Sequence, residues 1–289
     1  MSTSLTILVT GSNRGIGLGI TQLLAKTQHT TPLHIIASSR SGTDLGIQPT
    51  PPNTIQYASL DISSTSSITT FTSHTKNKNI NILINNAGIN NNAQETALLA
   101  AQVIDVNYKG TRDMCTSLLS SPSVNLQRIV NVSSTACQLS NYPASTQEKF
   151  RAASSIGDVD ALAASYVAAV RAGGAAQQQA GFGSPPKSYQ VSKALVNALT
   201  VVLAQENPEV AVNCCCPGWV DTDMGHQVGK PPKTLEEGAR IPVRLAIGDL
   251  GRSGDGDGGL GAADVEIVSG RYFGNDGVTD RGWGRERQW

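Results

Sequence analysis

The apolar run Leu5 to Thr10 passes directly into Thr10-Gly11-Ser12-Asn13-Arg14-Gly15-Ile16-Gly17, and helical periodicity begins at Gly15. A strand, a glycine-rich turn and a helix in immediate succession admit few folds. Glycine tolerates the sharp turn and lets the backbone approach a ligand closely, while the free amides and positive dipole end of the new helix attract negative charge. The spacing, G-x-x-x-G-x-G, differs from the commoner G-x-G-x-x-G of dinucleotide sites. Its placement, rather than the glycines alone, marks Gly11, Asn13, Arg14, Gly15, Ile16 and Gly17 as candidates to hold a pyrophosphate.

The rest of the chain continues the alternation. Further strand candidates are Leu33 to Ser38, Ile55 to Ser59, Ile80 to Asn85, Arg128 to Val132 and Val210 to Cys214. Most are continuously apolar, as strands buried on both faces of a parallel sheet are. Helices are predicted at Gly15 to Thr27, Ser64 to Lys76, Glu95 to Leu119 and Ser188 to Glu206, the last stopped by Pro208. The fold class is therefore α/β: a single doubly wound (Rossmann) domain over residues 1–289, with helices on both faces of a parallel sheet.

Three stretches interrupt the pattern. Residues 48–53 are Pro-rich and read as a surface loop, and 248–263 are rich in Gly and Asp and read as a flexible loop. Residues 139–187 carry Ile156, Val159, Leu162, Ala163, Tyr166, Val167 and Val170 at helical spacing, a helical insertion with one buried face.

Lys plus Arg and Asp plus Glu balance at 22 each, so no net field draws the protein to nucleic acid or to an anionic membrane. No run approaches the roughly 20 apolar residues of a membrane span. Cys115, Cys137, Cys214, Cys215 and Cys216 show no metal-binding spacing, and reduced thiols with a cytoplasmic address are expected.

Chemistry concentrates in Tyr189-Gln190-Val191-Ser192-Lys193, where i, i+4 spacing on a helix puts a phenol and an ammonium on one face. Reducing a ketone by hydride transfer needs a proton for the developing alkoxide, and a neighbouring cation is expected to bring a phenol down from its ordinary pKa of about 10. Taken alone the pair is common on solvated helix faces. Asn131-Val132-Ser133-Ser134, Asn85-Asn86-Ala87-Gly88 and Val106-Asn107-Tyr108 accompany it, at or beside the carboxyl ends of strands where such sheets bind ligands. Cofactor choice turns on the end of the second strand. No acid stands there to bind a ribose 2′-hydroxyl; Arg40 follows Ser39, and with Arg14 it favours NADPH over NADH, unless both are simply solvated. Asp61 and Ile62 follow the third strand, and Asp61 could cap the next helix.

With these motifs the chain resembles the short-chain dehydrogenase/reductase family, and within it the monomeric carbonyl reductases. Gln147-Glu148-Lys149-Phe150-Arg151, Cys215-Cys216-Pro217-Gly218-Trp219-Val220 with Thr222-Asp223-Met224, Glu236-Glu237-Gly238-Ala239 and Gln288-Trp289 carry the closer likeness. The resemblance implies a sheet of seven parallel strands. It implies Tyr189 as proton donor, Lys193 as ribose ligand and tuner of Tyr189, Ser134 as donor to the substrate carbonyl, and Asn107 as anchor of a water relay. Asn86, Ala87 and Gly88 would line the cofactor, Asp61 and Ile62 would help seat its adenine, Pro217, Gly218, Val220 and Thr222 would flank its nicotinamide, and Ser133 would be structural.

Ser134 and Tyr189 are 55 positions apart because of the insertion, which in this subgroup covers a surface that tetrameric relatives use for association, so a monomer is expected. Tyr142, Trp219 and Met224 either line the substrate site or pack the core. The implied activity is NADPH-dependent reduction of a ketone, aldehyde or quinone. An NADP-linked alcohol dehydrogenase of secondary metabolism and a non-catalytic NADP-binding sensor are the alternatives.

Overall fold

The computed structural model describes residues 4–75, 78–91, 94–121, 124–248 and 268–289. The Gly and Asp-rich stretch expected to be a flexible loop lies outside them, apart from Gly248. In chain order the first half contains β1 (Leu5–Thr10), α1 (Gly15–Lys26), β2 (Leu33–Ser39), β3 (Thr54–Ser59), α2 (Thr65–Thr75), β4 (Ile80–Asn85), α3 (Ala97–Ile104), a π-helical turn (Asp105–Lys109), α4 (Gly110–Leu119) and β5 (Arg128–Val132). Then come α5 (Ala144–Arg151), α6 (Ile156–Arg171), α7 (Gly174–Gln179), α8 (Ser188–Glu206), β6 (Ala211–Cys215), α9 (Asp223–His226), α10 (Leu235–Ile247), β7 (Tyr272–Gly274) and β8 (Arg285–Arg287).

The strands form one sheet in the order β3-β2-β1-β4-β5-β6-β7-β8. All pairings from β3 to β7 are parallel. The expected count of seven is short by one: β8 adds an eighth, antiparallel strand, with Phe273 opposite Glu286. Its sequence, Arg-Glu-Arg, offers no apolar alternation by which to read a strand.

One apolar layer joins α2 to α6 and α8 to the sheet, and a second joins α1 and α10 to its other face. Gly19 sets the second layer's spacing, because a side chain there would stand 2.5 Å from the carbonyl oxygen of Leu235 at the start of α10. Between α8 and the sheet, Asn85 Nδ2 donates to Asn131 Oδ1 at 2.9 Å, and Asn131 Nδ2 to Thr200 Oγ1 at 2.9 Å. These buried amides fix the register of α8 against β4 and β5.

The insertion is three helices rather than one. Its main helix, α6, opens with a capping box in which Ser155 and Asp158 satisfy each other's backbone amides. Val159, Leu162, Ala163 and Tyr166 form its buried face, as the periodicity predicts. On the same helix Asp160 Oδ1 accepts from Tyr108 Oη at 2.7 Å and from Arg112 at 2.6 Å, tying the insertion to the π turn and α4. The long helix predicted over Glu95 to Leu119 starts later, at Ala97, where Thr96 Oγ1 accepts from Leu99 N. Among the described residues, no helix is long and apolar enough to cross a membrane.

Candidate active site

Gly11 and Gly15 adopt φ of +66° and +55°, the left-handed region that glycine enters without penalty. A side chain at Gly17 would come within 2.1 Å of the Gly11 carbonyl oxygen and 2.4 Å of Asn86 Nδ2, so the turn closes on itself only because that position is bare. Asn86 anchors the turn from β4: its Nδ2 donates to the carbonyls of Thr10 and Gly11 at 3.0 and 3.1 Å. Thr10 Oγ1 accepts from the amides of Asn86 and Ala87.

Arg14, the residue before α1, supplies no side-chain cap, and the helix has no acid in its first turn. The amides at this end are left to a ligand, and the dipole makes that ligand an anion. Arg14 and Arg40 both project into solvent, with Asp223 Oδ2 3.7 Å from Arg14. The β2 end carries hydroxyls and no acid, Gly42 N donating to Ser39 Oγ. These features fit a dinucleotide bearing a 2′-phosphate.

Asp61 Oδ1 accepts from Ser63 N and Ser63 Oγ, stapling the turn before α2. Both residues contact the helix: Ser64 Oγ accepts from Ser67 N, and the Asp61 amide donates to Ser67 Oγ at 3.0 Å. Ile62 buries its side chain in the core, and Gly110 packs against its carbonyl.

The carboxyl ends of β4 and β5 bring the remaining groups together. Lys193 is 6% exposed, and its Nζ donates to the Val132 carbonyl at 2.8 Å while lying 5.7 Å from the centroid of the Tyr189 ring. A side chain at Gly88 would meet Asn107 Oδ1 at 3.1 Å and Lys193 Nζ at 3.7 Å, so glycine there keeps both groups open. Ser133 Oγ donates to the Lys193 carbonyl and its amide to Cys215, in keeping with a structural part. Ser134 begins a short 3₁₀ turn, its Oγ accepting from Ala136 N.

In the protein alone, without cofactor charge beside Lys193, burial pushes the Tyr189 phenol up to about 12, and a hydrogen bond with Ser134 only partly offsets it. Burial also drives the Lys193 amine down to about 8, where it is still mostly charged at neutral pH. In the protein alone Tyr189 is therefore a protonated, poorly acidic phenol at neutral pH.

Asn107 occupies the π turn, and its side chain is held at both ends. Oδ1 accepts from Ile89 N at 2.8 Å, and Nδ2 donates to Ile89 O at 2.9 Å and Ser192 Oγ at 3.0 Å. Oδ1 and the main-chain carbonyl, which accepts from Thr111 Oγ1, each have a second lone pair that a water relay could use.

The loop after β6 closes the other side. Pro217 is buried; Gly218 has φ of +89° and would collide with Lys233 Nζ at 2.6 Å if it carried a side chain. Lys233 is itself buried and donates to the Pro217 carbonyl at 2.7 Å. Val220 packs under Gly238, while Thr222 caps α9 and brings its methyl to the bare Gly15. Of the candidate substrate residues, Trp219 donates to Gly225 O and stacks near Gly229, and Met224 is half-buried on α9. Tyr142 sits in the core against Phe150 with its hydroxyl buried and unbonded, which favours packing for this ring.

The model of the short chain dehydrogenase family matches residues 5–147. A Rattus norvegicus protein named carbonyl reductase (NADPH) 3 is 32% identical over 85% of this chain and 92% of its own. The chain belongs to the short-chain dehydrogenase/reductase family. A Saponaria officinalis member named short-chain dehydrogenase/reductase 1 is 31% identical over 84% of this chain and 90% of its own. Salutaridine reductase from Papaver somniferum, 23% identical, shares the fold with a TM-score of 0.72 over 93% of this chain and 99% of its own.

Within this family member, several partners of the site escape sequence reading. Lys233, Asp160 and Arg112 follow no motif, Ser192 and Tyr108 lie within motifs without a role read for them, and Glu95 bonds to groups 71 and 93 positions away. Long-range pairs of this kind leave no local periodicity or spacing to detect.

Proposed function

We propose that the protein is an NADPH-dependent carbonyl reductase that converts a ketone, aldehyde or quinone to the alcohol or hydroquinone. The observation that carries this reading is the convergence of Tyr189, Lys193 and Ser134 at the carboxyl edge of the sheet, Tyr189 bonded to Ser134 and neighboured by Lys193, whose Nζ lies by Gly88. When bound, NADPH supplies the hydride. Tyr189 Oη hands its proton to the carbonyl oxygen, and Ser134 Oγ donates a hydrogen bond to that oxygen as negative charge builds on it. Lys193 offers two further hydrogens besides the one on Val132 O, enough to hold a ribose and to bring positive charge toward the phenol.

At neutral pH Tyr189 carries the proton that reduction requires. Arg14 and Arg40 are the groups proposed to grip the 2′-phosphate, and Gly11, Gly15 and Gly17 the cradle for the pyrophosphate. The chain is proposed to act as a monomer, with α6 lying over α3, α4 and α8.

Following NADPH absorbance against isatin-like diones, quinones, aromatic ketones and terpenoid ketones tests the reading. Turnover that disappears in Tyr189→Phe is expected. Turnover with NADH preferred, or undiminished rates in the Phe variant, would overturn it.

A further inference from the structure

Tyr189 is the second residue of α8, in the first turn of the helix, where hydrogen bonds are fewest and fraying is easiest. Lys187, the residue before the helix, provides no side-chain cap. The amides are held instead by a distant acid. Glu95, in the segment leading into α3, accepts at one oxygen, Oε1, from Lys187 N at 2.8 Å and Ser188 N at 2.6 Å. The same oxygen accepts from Tyr166 Oη of α6 at 2.5 Å. The other oxygen, Oε2, is buried with no hydrogen-bond partner.

Three donors from two separate elements on one oxygen define where it sits, and a carboxylate at a helix N-terminus is also favoured by the dipole. Tyr166 is completely buried with its ring edge-on to Phe182, and burial together with Glu95 pushes its phenol far up, so it remains a donor. The inserted helix is thereby joined to the start of α8 through one side chain.

We infer that Glu95 is a positioning residue for the reaction: it fixes the first turn of α8, and hence the Tyr189 hydroxyl beside Ser134, by capping the Lys187 and Ser188 amides while Tyr166 holds it from the insertion. This rests on Tyr189 being the proton donor proposed above. Glu95 touches neither Tyr189 nor Ser134, and its effect is geometric, so it bears on the rate of turnover and leaves the glycine turn untouched.

The test compares Glu95→Ala, Glu95→Gln and Tyr166→Phe in the full-length protein, by steady-state kinetics and by amide hydrogen exchange. Glu95→Ala is expected to lower kcat at least tenfold, with KM for NADPH within twofold of the parent. Glu95→Gln retains a carbonyl oxygen for the same donors and is expected to recover most of that loss, with Tyr166→Phe in between. Exchange of the amides at 187–190 is expected to speed up at least tenfold in Glu95→Ala while α1 is unchanged. Because Glu95→Ala could also unfold the protein, Glu95→Gln and Tyr166→Phe are the milder probes, with unchanged near-UV circular dichroism required. Unaltered kcat and unaltered exchange in Glu95→Ala would overturn the inference, as would a Glu95→Gln variant as impaired as the Ala one. If the parent turns over no carbonyl compound, the proposed function fails by itself, and the exchange data still decide whether Glu95 fixes the turn.

Discussion

Lys193 Nζ and the Tyr189 ring stand 5.7 Å apart on one face of α8, and the amine spends a hydrogen on the Val132 carbonyl. The two groups are neighbours, yet each is held by burial in its neutral direction: the phenol up to about 12, the amine down to about 8. At about 8 the amine is still mostly an ammonium at neutral pH, so the site holds one positive charge beside a neutral phenol, and negative charge arriving with a ligand would stabilise that charge further.

Replacing Tyr189 by Phe removes the proton donor and nothing that the fold depends on. We predict that kcat falls about 10²- to 10⁴-fold, the range typical of losing a general acid. Thermal unfolding should be nearly unchanged, since the half-buried Tyr189 loses only its hydroxyl and the bond to Ser134; a turnover assay and a melting curve on one preparation check both.

Lys193 carries a stability cost with a defined pH window. Its folded pKa of about 8 lies below the ordinary 10.5, so between those values the unfolded chain binds the extra proton. The penalty is therefore full below pH 8 and fades as pH rises toward 10.5. A shift of that size corresponds to roughly 3 kcal/mol, reduced by the Val132 carbonyl that loses its partner. Lys193→Met should thus be more stable than the parent by about 1 to 2 kcal/mol at pH 7. Denaturant titrations should show the gap closing by pH 10, and the variant should be inactive. In the parent, kcat/KM for NADPH should decline above a pH near 8.

A methyl at Gly17 has nowhere to go, because the Gly11 carbonyl and Asn86 are held on both sides. Gly17→Ala should cost about 1 to 3 kcal/mol and weaken NADPH binding at least tenfold. Gly157→Ala on α6 is the matched control: its nearest neighbour would be 3.6 Å away, and helix propensity predicts a gain of about 0.5 to 1 kcal/mol. Calorimetry of binding and chemical denaturation separate the two.

Arg14→Ala and Arg40→Ala, together, should raise KM for NADPH about 10- to 100-fold, the worth of one or two charge-assisted contacts, and leave KM for NADH within twofold. Equal effects on both cofactors would mean that neither guanidinium reads the 2′-phosphate.

If α6 covers what would otherwise be an association surface, loosening it should expose that surface. Asp160→Asn weakens the bonds to Tyr108 and Arg112. We predict a parent that sediments as a monomer and a variant destabilised by about 1 to 2 kcal/mol that associates at high concentration. A parent tetramer would count against the monomer.

How much was legible in the sequence depended on how local each signal was. The glycine turn, the six strands from β1 to β6 and α8 follow from runs and spacings within a dozen residues, and the structure has them within a residue or two. α6 was legible because seven positions from Ile156 to Val170 repeat at helical spacing, whereas α5 and α7 have short, polar sequences. β8 was hidden for the same reason as the Glu95 contacts: its identity lies in its partner strand. The spacing of Tyr189 and Lys193 gives the neighbour but not the burial, which raises the phenol and lowers the amine in the protein alone.

The bare position at Gly19 reaches further than the helix that contains it. With α1 and α10 meeting backbone to backbone at Leu235, the phosphate end of the molecule and the segment leading away from the β6 loop share one rigid seam. Mutational drift on either helix is therefore not independent: a substitution that thickens one side of that seam would have to be answered on the other before the turn at Gly11 could keep its shape.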